Sequence, residues 1–168
     1  MKRRTVLTLG IAAGTLLALA GATIALLAPG RRDGKLTDAG RAMFAAVAGA
    51  VLADLLPVDP VARRLALDGH LGRVQDTIAG MPAAVQAEID ELVTIVASAP
   101  GRLALVSLGT DWQTASEADV TAALQGMRAS RLAVRQQAFH ALRDLTNGSY
   151  FAAPDTWAGI GYPGPRTL

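Results

Sequence analysis

The chain has 168 residues, 51% of them hydrophobic and 18% charged, which excludes a disordered or collagen-like polymer and leaves room for one domain of ordinary size. It contains no cysteine, so disulfides, thiolate metal sites, iron–sulfur clusters and cysteine nucleophiles are excluded as well. The formal net charge is +2, from 16 basic and 14 acidic residues. This balance is too even to indicate an acidic or a basic partner by itself.

The N-terminal segment has the features of an export signal. From Thr5 to Gly30 no residue is charged, and a helix of this length, at about 1.5 Å per residue, is long enough to cross a bilayer. The residues at its start resemble a bacterial twin-arginine signal, in which paired arginines precede a variable residue, a bulky apolar residue and a leucine: Arg3, Arg4, Val6 and Leu7. Residues 1–30 therefore predict export to the periplasm by the twin-arginine translocase.

Two outcomes are open for this leader. Ala20 and Ala22 place small residues at the spacing that a signal peptidase recognises, which predicts cleavage after Ala22. The apolar run continues to Ala28, so an uncleaved helix anchored in the inner membrane is an equal alternative. Cleavage removes the basic residues at positions 2–4 and leaves a nearly neutral domain, so no nucleic-acid partner is expected.

Residues 31–36 are interpreted as a linker and residues 37–150 as a helical domain. A first helix, capped by Thr37 or Asp38 and stopped by Pro57, has an apolar face made of Phe44, Val47, Val51 and Leu55. A second helix begins at Asp59 and Pro60, because the Asp carboxylate accepts an unpaired amide while Pro lacks one. It ends at Gly80, and its apolar face is Leu67, Leu71, Val74 and Ile78.

Three more helices follow. Pro82 opens the third, whose apolar stripe is Val85, Ile89, Leu92, Val93 and Val96, with Gln86, Glu88, Asp90 and Glu91 on a solvated face. Ser116 and Asp119 form a capping box for the fourth, which presents Val120, Leu124 and Met127. The fifth, from about residue 131 to Gly148, is expected to bury Leu132, Val134, Ala138, Phe139, Leu142 and Leu145.

No segment alternates apolar and polar residues between turn signals, so no sheet is expected. The predicted fold class is all-α: an N-terminal signal or anchor helix, then an irregular bundle of about five helices, then an extended C-terminal strap.

Residues that could carry chemistry lack the context that chemistry needs. Residues 159–164 match the dinucleotide fingerprint GxGxxG, but a preceding strand and a following helix are missing. His70 is interpreted as a solvated or capping residue, and His140 as one half of a surface pair with Asp144. The serines have no nucleophile elbow. No catalytic, cofactor-binding or metal-ligating residue is predicted in this chain.

The strap, residues 151–168, is rich in Gly, Pro and aromatic residues, so no regular element is expected there. Such a segment either covers the bundle or meets a partner, since Trp and Tyr offer large contact areas at low entropic cost. Both roles are compatible. The candidate partner interface is Tyr150, Phe151, Pro154, Trp157, Ile160, Tyr162 and Pro163.

An ordered set of motifs resembles the gluconate 2-dehydrogenase small-subunit (subunit 3) family. The set comprises the helix of Phe44 with the Val51–Pro57 stretch, a long final helix, Tyr150, Pro154-Asp155, Trp157, and the closing Ile160-Gly161-Tyr162-Pro163-Gly164. The likeness spans most of the chain after the leader. More closely, the chain looks like the small periplasmic proteins with twin-arginine leaders that accompany glucose–methanol–choline-type flavoproteins. The loop with Ala152, Ala153 and Thr156 is shorter than in the gluconate pattern, so the substrate stays open.

The resemblance implies a non-catalytic accessory subunit of an oxidoreductase complex. In that family a large flavoprotein dehydrogenase carries FAD and oxidises sugars or alcohols, often together with a cytochrome c subunit. The twin-arginine pathway moves folded proteins, and a leader on a chain without a cofactor site suggests that a folded companion is carried across with it. A rival interpretation is a stand-alone, membrane-anchored periplasmic scaffold or binding protein without a redox partner.

Overall fold

A computed structural model of the protein describes residues 27–164. The predicted export residues Arg3, Arg4, Val6 and Leu7, the cleavage residues Ala20 and Ala22, and the last four residues of the strap lie outside this range. Within it, the all-α prediction is confirmed, with five helices of twelve or more residues: α1 Asp38–Val51, α2 Pro60–Ala79, α3 Ala83–Ala97, α4 Glu117–Arg128 and α5 Ala133–Phe151.

Three helices begin at the caps that the sequence predicts. The Thr37 hydroxyl accepts the amide of the residue three positions on, and the Asp59 carboxylate accepts the amides two and three positions on, with Pro60 in the first helical position. At α4 the Ser116 hydroxyl accepts the amide of Asp119 and donates to its carboxylate at 2.7 Å. Each cap satisfies amides that have no partner inside the helix.

Helix α1 is the centre of the bundle and packs against α2, α3, α4 and α5. Its Met43, Phe44 and Val47 are fully buried. The predicted stripes of the other helices surround them, and the buried members are Leu71, Val74, Ile78, Ile89, Leu92, Val93, Val96, Val120, Leu124, Met127, Ala138, Phe139, Leu142 and Leu145. Apolar burial at helical spacing therefore accounts for most of the core.

The residues interpreted as a linker form a small hairpin. Strand β1, Arg31–Arg32, pairs antiparallel with β2, Lys35–Leu36, where a sheet was not expected. The turn between them has Asp33 at φ 51° and Gly34 at φ 77°, a left-handed Asp-Gly pair that matches the twist of a two-residue hairpin. Strands of two residues are too short to show the alternation on which the sequence prediction relied.

The boundaries of the last helix also differ from the prediction. Leu132, expected in the core, is 60% exposed because it precedes the first turn of α5. The helix continues through Gly148 to Phe151, since buried Ser149 and Tyr150 pack its final turn onto α2 and the end of α1. Between α3 and α4 the chain forms a helical turn, Ala99–Gly101, and a π-helical segment, Arg102–Val106.

The expectation that the strap has no regular element is wrong. Pro154–Ile160 forms a 3-10 helix. Pro154 suits its first position because a helix start needs no amide donor there. Gly161 follows at φ 70°, a left-handed conformation that ends the helix and is accessible to glycine.

Candidate functional site

The chain enters the bundle along a tightly packed path. The Gly30 amide donates to the Thr94 hydroxyl of α3 at 3.0 Å, and the Gly30 carbonyl accepts the Thr37 amide at 3.1 Å. A Cβ atom at Gly30 would lie 2.6 Å from a methyl group of Val93, and one at Gly40 would overlap the Gly30 carbonyl. Glycine at both positions is therefore required for this close approach.

An ion pair reinforces the entry. The Arg31 guanidinium, with only 1% of its side chain exposed, donates to the Asp90 carboxylate of α3 and to the Gly34 carbonyl, the latter at 3.0 Å. Asp90 was predicted on a solvated face; its side chain is 44% exposed and is the partner of a buried cation. A buried charge is tolerated only when it is paired, so Arg31 holds the entry segment against α3.

The root of the strap lies at the other end of α1. Tyr150 is buried with Ala48, Leu52 and Leu56, and its hydroxyl donates to the Leu55 carbonyl at 3.2 Å. Helix α1 has 14 residues, so its two ends are about 21 Å apart at about 1.5 Å per residue. The described part of the chain therefore begins at one end of α1, and the strap leaves at the other.

The strap folds onto its own root. The Thr156 hydroxyl faces the carbonyls of Tyr150 and Ala153 at 3.1 and 2.7 Å. The Trp157 indole N–H donates to the Phe151 carbonyl at 2.8 Å, and the ring meets that of Tyr162 edge to face, with 5.3 Å between centroids. These contacts hold the 3-10 helix in one place against the end of α5.

The seven residues predicted as a partner interface divide into two groups. Tyr150 is buried, while Phe151 and Trp157 are half-buried and belong to the packing just described. The other four, Pro154, Ile160, Tyr162 and Pro163, face solvent. Ile160 is 51% exposed and Tyr162 is 46% exposed. The strap thus has an inner side that packs on the bundle and an outer side with apolar and aromatic surface.

A second exposed apolar surface was missed by the sequence interpretation. Val58, at 97% exposure, precedes α2, and Val61 and Leu65 follow it at three and seven positions on, both mostly exposed. This stripe starts three residues after Leu55, the residue bonded by Tyr150, so it begins at the same end of the bundle as the root of the strap. The spacing was visible in the sequence, but the buried face of α2 was the stronger pattern.

The interpretation of His70 as a solvated or capping residue is wrong. His70 is fully buried, and its ring lies 6.1 Å from that of Tyr150 in an edge contact. Among the described residues neither ring nitrogen has a hydrogen-bond partner. Burial, and to a smaller extent the nearby Arg73 cation, lower its pKa to about 4. The missed signal is its spacing: His70 stands three positions after Leu67 and four before Val74, on the buried face.

His140 is exposed, and the ring of Phe139 packs against it. The predicted pairing with Asp144 is replaced, since that carboxylate accepts two hydrogen bonds from Arg143, at 2.8 and 3.0 Å. A planar guanidinium satisfies a carboxylate better than an imidazole does.

Two features that often mark function are absent from residues 27–164. No group of three or more His, Asp or Glu side chains is arranged to hold a metal ion. No helix in this range is both long and apolar enough to cross a membrane. The residues of the GxGxxG match lie at the end of the 3-10 helix and in the turn after it.

No protein-family model matches the chain, and neither a curated protein nor a solved structure is detectably similar to it.

Proposed function

We propose that this protein is a non-catalytic accessory subunit that escorts a large, FAD-carrying sugar or alcohol dehydrogenase through the twin-arginine pathway and stabilises it in the periplasm. In this proposal a cytochrome c subunit completes the electron path, and the leader either is removed or holds the complex at the inner membrane.

The observation that carries the proposal is the separation of the two ends of α1. The leader joins the bundle at Gly30, where Arg31 and Thr94 tie the chain to α3. The exposed apolar surfaces begin at the other end of α1, a helix about 21 Å long, where the Tyr150 hydroxyl donates to the Leu55 carbonyl. A subunit held at its entry end by a translocase or a membrane would present these surfaces outward to a partner.

The outer side of the strap is suited to protein contact. Ile160 and Tyr162 are exposed, yet the backbone that carries them is held by Trp157 and by the 3-10 helix. An ordered segment loses less conformational entropy on association than a flexible one, which favours affinity for a folded partner. Tyrosine is one of the residues enriched in binding hot spots, and Ile160 adds exposed apolar contact area beside it.

Escort is tested by replacing Arg3 and Arg4 with Lys in the full chain and fractionating the cells. We expect the companion flavoprotein to stay in the cytoplasm, because the twin-arginine translocase requires the paired arginines. A companion that still reaches the periplasm would contradict escort.

Complex formation is tested by affinity purification of the full chain from membranes, with a flavin absorption spectrum of the eluate. The expected result is a yellow complex with a large second band. A colourless, solitary 17.3 kDa protein would favour the stand-alone scaffold.

The contact surface is tested with two matched variants. Ile160→Asp places a charge on the strap, and Leu132→Asp places one on a residue of similar exposure, 60% against 51%, at the start of α5. We expect only Ile160→Asp to lose the partner, with an unchanged melting temperature in that variant and an equal or higher one in Leu132→Asp, because Asp is a preferred residue at this N-cap position. Equal loss, or loss in neither variant, would remove the strap from the interface.

A further inference from the structure

A groove lies between the loop 107–110 and one face of α4. Its volume is 480 Å³, within the range of sites for small molecules. Val106 and Leu108 form apolar walls, and Asp119 and Arg135 supply a charge of each sign. None of the described residues of the proposed partner surface lines it.

The groove owes its volume to small residues on α4. Ala122, Ala123 and Gly126 line it, at spacings that place them on one helix face. A Cβ atom at Gly126 would meet nothing within 4 Å, so core packing does not require glycine there. Glycine inside a helix costs about 1 kcal/mol relative to alanine, and no packed neighbour at Gly126 accounts for that cost.

The backbone of the groove is strained at Ser107. This residue has φ 63° and ends the π-helical segment in the left-handed conformation, which costs a residue other than glycine about 1 to 2 kcal/mol. Its hydroxyl accepts a hydrogen bond from the Arg135 guanidinium at 3.0 Å. The strain therefore places a hydroxyl, which glycine would lack, beside a cation.

The Arg135 guanidinium has donors to spare. Among residues 27–164 its side chain donates only to Ser107 and forms no ion pair. Its Nε is shielded from solvent and lacks an acceptor, so the donors open to a ligand are those of the terminal Nη groups. Asp119, the acidic residue of the groove, has its carboxylate bonded to the Ser116 hydroxyl. A planar cation with free donors on a cavity wall is matched by a planar anion with two oxygens.

We propose that this groove binds a small organic carboxylate. The carboxylate pairs with the terminal Nη groups of Arg135 and accepts a hydrogen bond from the Ser107 hydroxyl, and the carbon chain lies along Ala122, Ala123 and Gly126. A phosphate dianion fits less well, since the Asp119 carboxylate lies in the same groove and repels the second negative charge. The site is independent of the partner-binding proposal, because none of the described strap residues, 151–164, lines it.

The test is a titration of the full chain, in detergent and at constant ionic strength, with butyrate, butyramide and inorganic phosphate, followed by amide NMR shifts. Butyrate is expected to give saturating shifts at residues 107–110, with Kd of about 1 mM. Butyramide, which has the same shape without the charge, and phosphate are expected to bind at least about tenfold more weakly. Shifts that grow linearly without saturation, or equal binding of butyramide or phosphate, would overturn the proposal.

Three variants locate the site. Arg135→Gln is expected to weaken butyrate binding at least about tenfold, while Arg128→Gln, an exposed arginine on the same helix as Gly126, leaves it unchanged. Gly126→Leu fills the groove and is expected to abolish binding with an equal or higher melting temperature, because it replaces a helical glycine. Retained butyrate binding in a folded Gly126→Leu protein, or equal losses in the two arginine variants, would refute the assignment.

Discussion

Acid should destabilise this protein through His70. The folded state holds its pKa at about 4, against an ordinary value of 6.5, because the ring is buried and faces the Arg73 cation. The unfolded chain therefore binds more protons between these values, and stability falls as the pH drops below 6.5. One unit of pKa corresponds to about 1.4 kcal/mol, so the contribution is about 2 kcal/mol at pH 5 and about 3 kcal/mol well below pH 4. Above pH 6.5 it is negligible.

The assay is urea unfolding of wild type and His70→Leu at pH 7.5 and pH 5, followed by circular dichroism. Leucine has no titrating group, so the stability difference between variant and wild type should grow by about 2 kcal/mol in favour of the variant on acidification. At pH 5 most carboxylates are still charged in both states, which keeps their titration out of the difference. At pH 7.5 the variant should be at least as stable, since it removes two polar atoms without partners.

The control is His140→Leu, which replaces the other histidine of the chain at an exposed position. The gain in stability over wild type on acidification should be larger for His70→Leu than for His140→Leu. Parallel pH profiles for wild type and His70→Leu would refute the reasoning, and would mean that water or a proton acceptor reaches the His70 ring.

Three further predictions concern close contacts. Gly40→Ala should lower stability by about 1 to 3 kcal/mol in thermal unfolding, because its Cβ would overlap the Gly30 carbonyl; an unchanged Tm would mean that the entry segment shifts freely. Ser107→Gly should raise stability by about 1 kcal/mol by relieving its left-handed backbone, and a loss would show that the hydrogen bond from Arg135 outweighs the strain. Trp112→Phe should cost about 1 to 3 kcal/mol in urea unfolding, since it leaves a buried carbonyl of α3 without its 3.0 Å donor; a cost below about half a kcal/mol would contradict that role.

The helices were predictable because their signals are local. The caps at Thr37, Asp59 and Ser116 act within three residues, and the apolar stripe from Ile89 to Val96 lies within two turns of one helix. Such patterns depend on side chains that are near neighbours along the chain, so a single sequence contains all the information that they need.

The prediction from sequence failed where contacts between residues far apart in the chain determine the local structure. The hairpin depends on contacts such as the Leu36 amide with the Gln75 side chain at 2.8 Å and the Arg31 pair with Asp90, across 39 and 59 positions. Leu132 was assigned to the core from its spacing, yet it immediately precedes the start of α5 and is exposed to solvent. The strap was predicted to be irregular from its Gly and Pro content. In the structure it forms a 3-10 helix that begins at Pro154 and is held by the hydrogen bond from the Trp157 indole N–H to the Phe151 carbonyl.

For the candidate surfaces too, some features could be predicted from the sequence and others depend on packing. The aromatic residues of the strap were recognisable from composition alone, but their inner and outer sides were not, because these depend on how Trp157 and Tyr150 pack. The groove left no sequence signal, since it joins Ser107 to Arg135 across 28 positions.

The sequence by itself determined the helical class, the helix starts, the main apolar faces and an N-terminal segment typical of an export signal, because each follows from spacing within a few turns. Only the tertiary structure shows that the segment before α1 packs at the start of that helix and that the strap begins near its other end. It also decided that His70 is buried and that Arg135 faces an open groove. These facts arise from contacts between helices, whose mutual arrangement is set by the packing of the whole core rather than by any one segment.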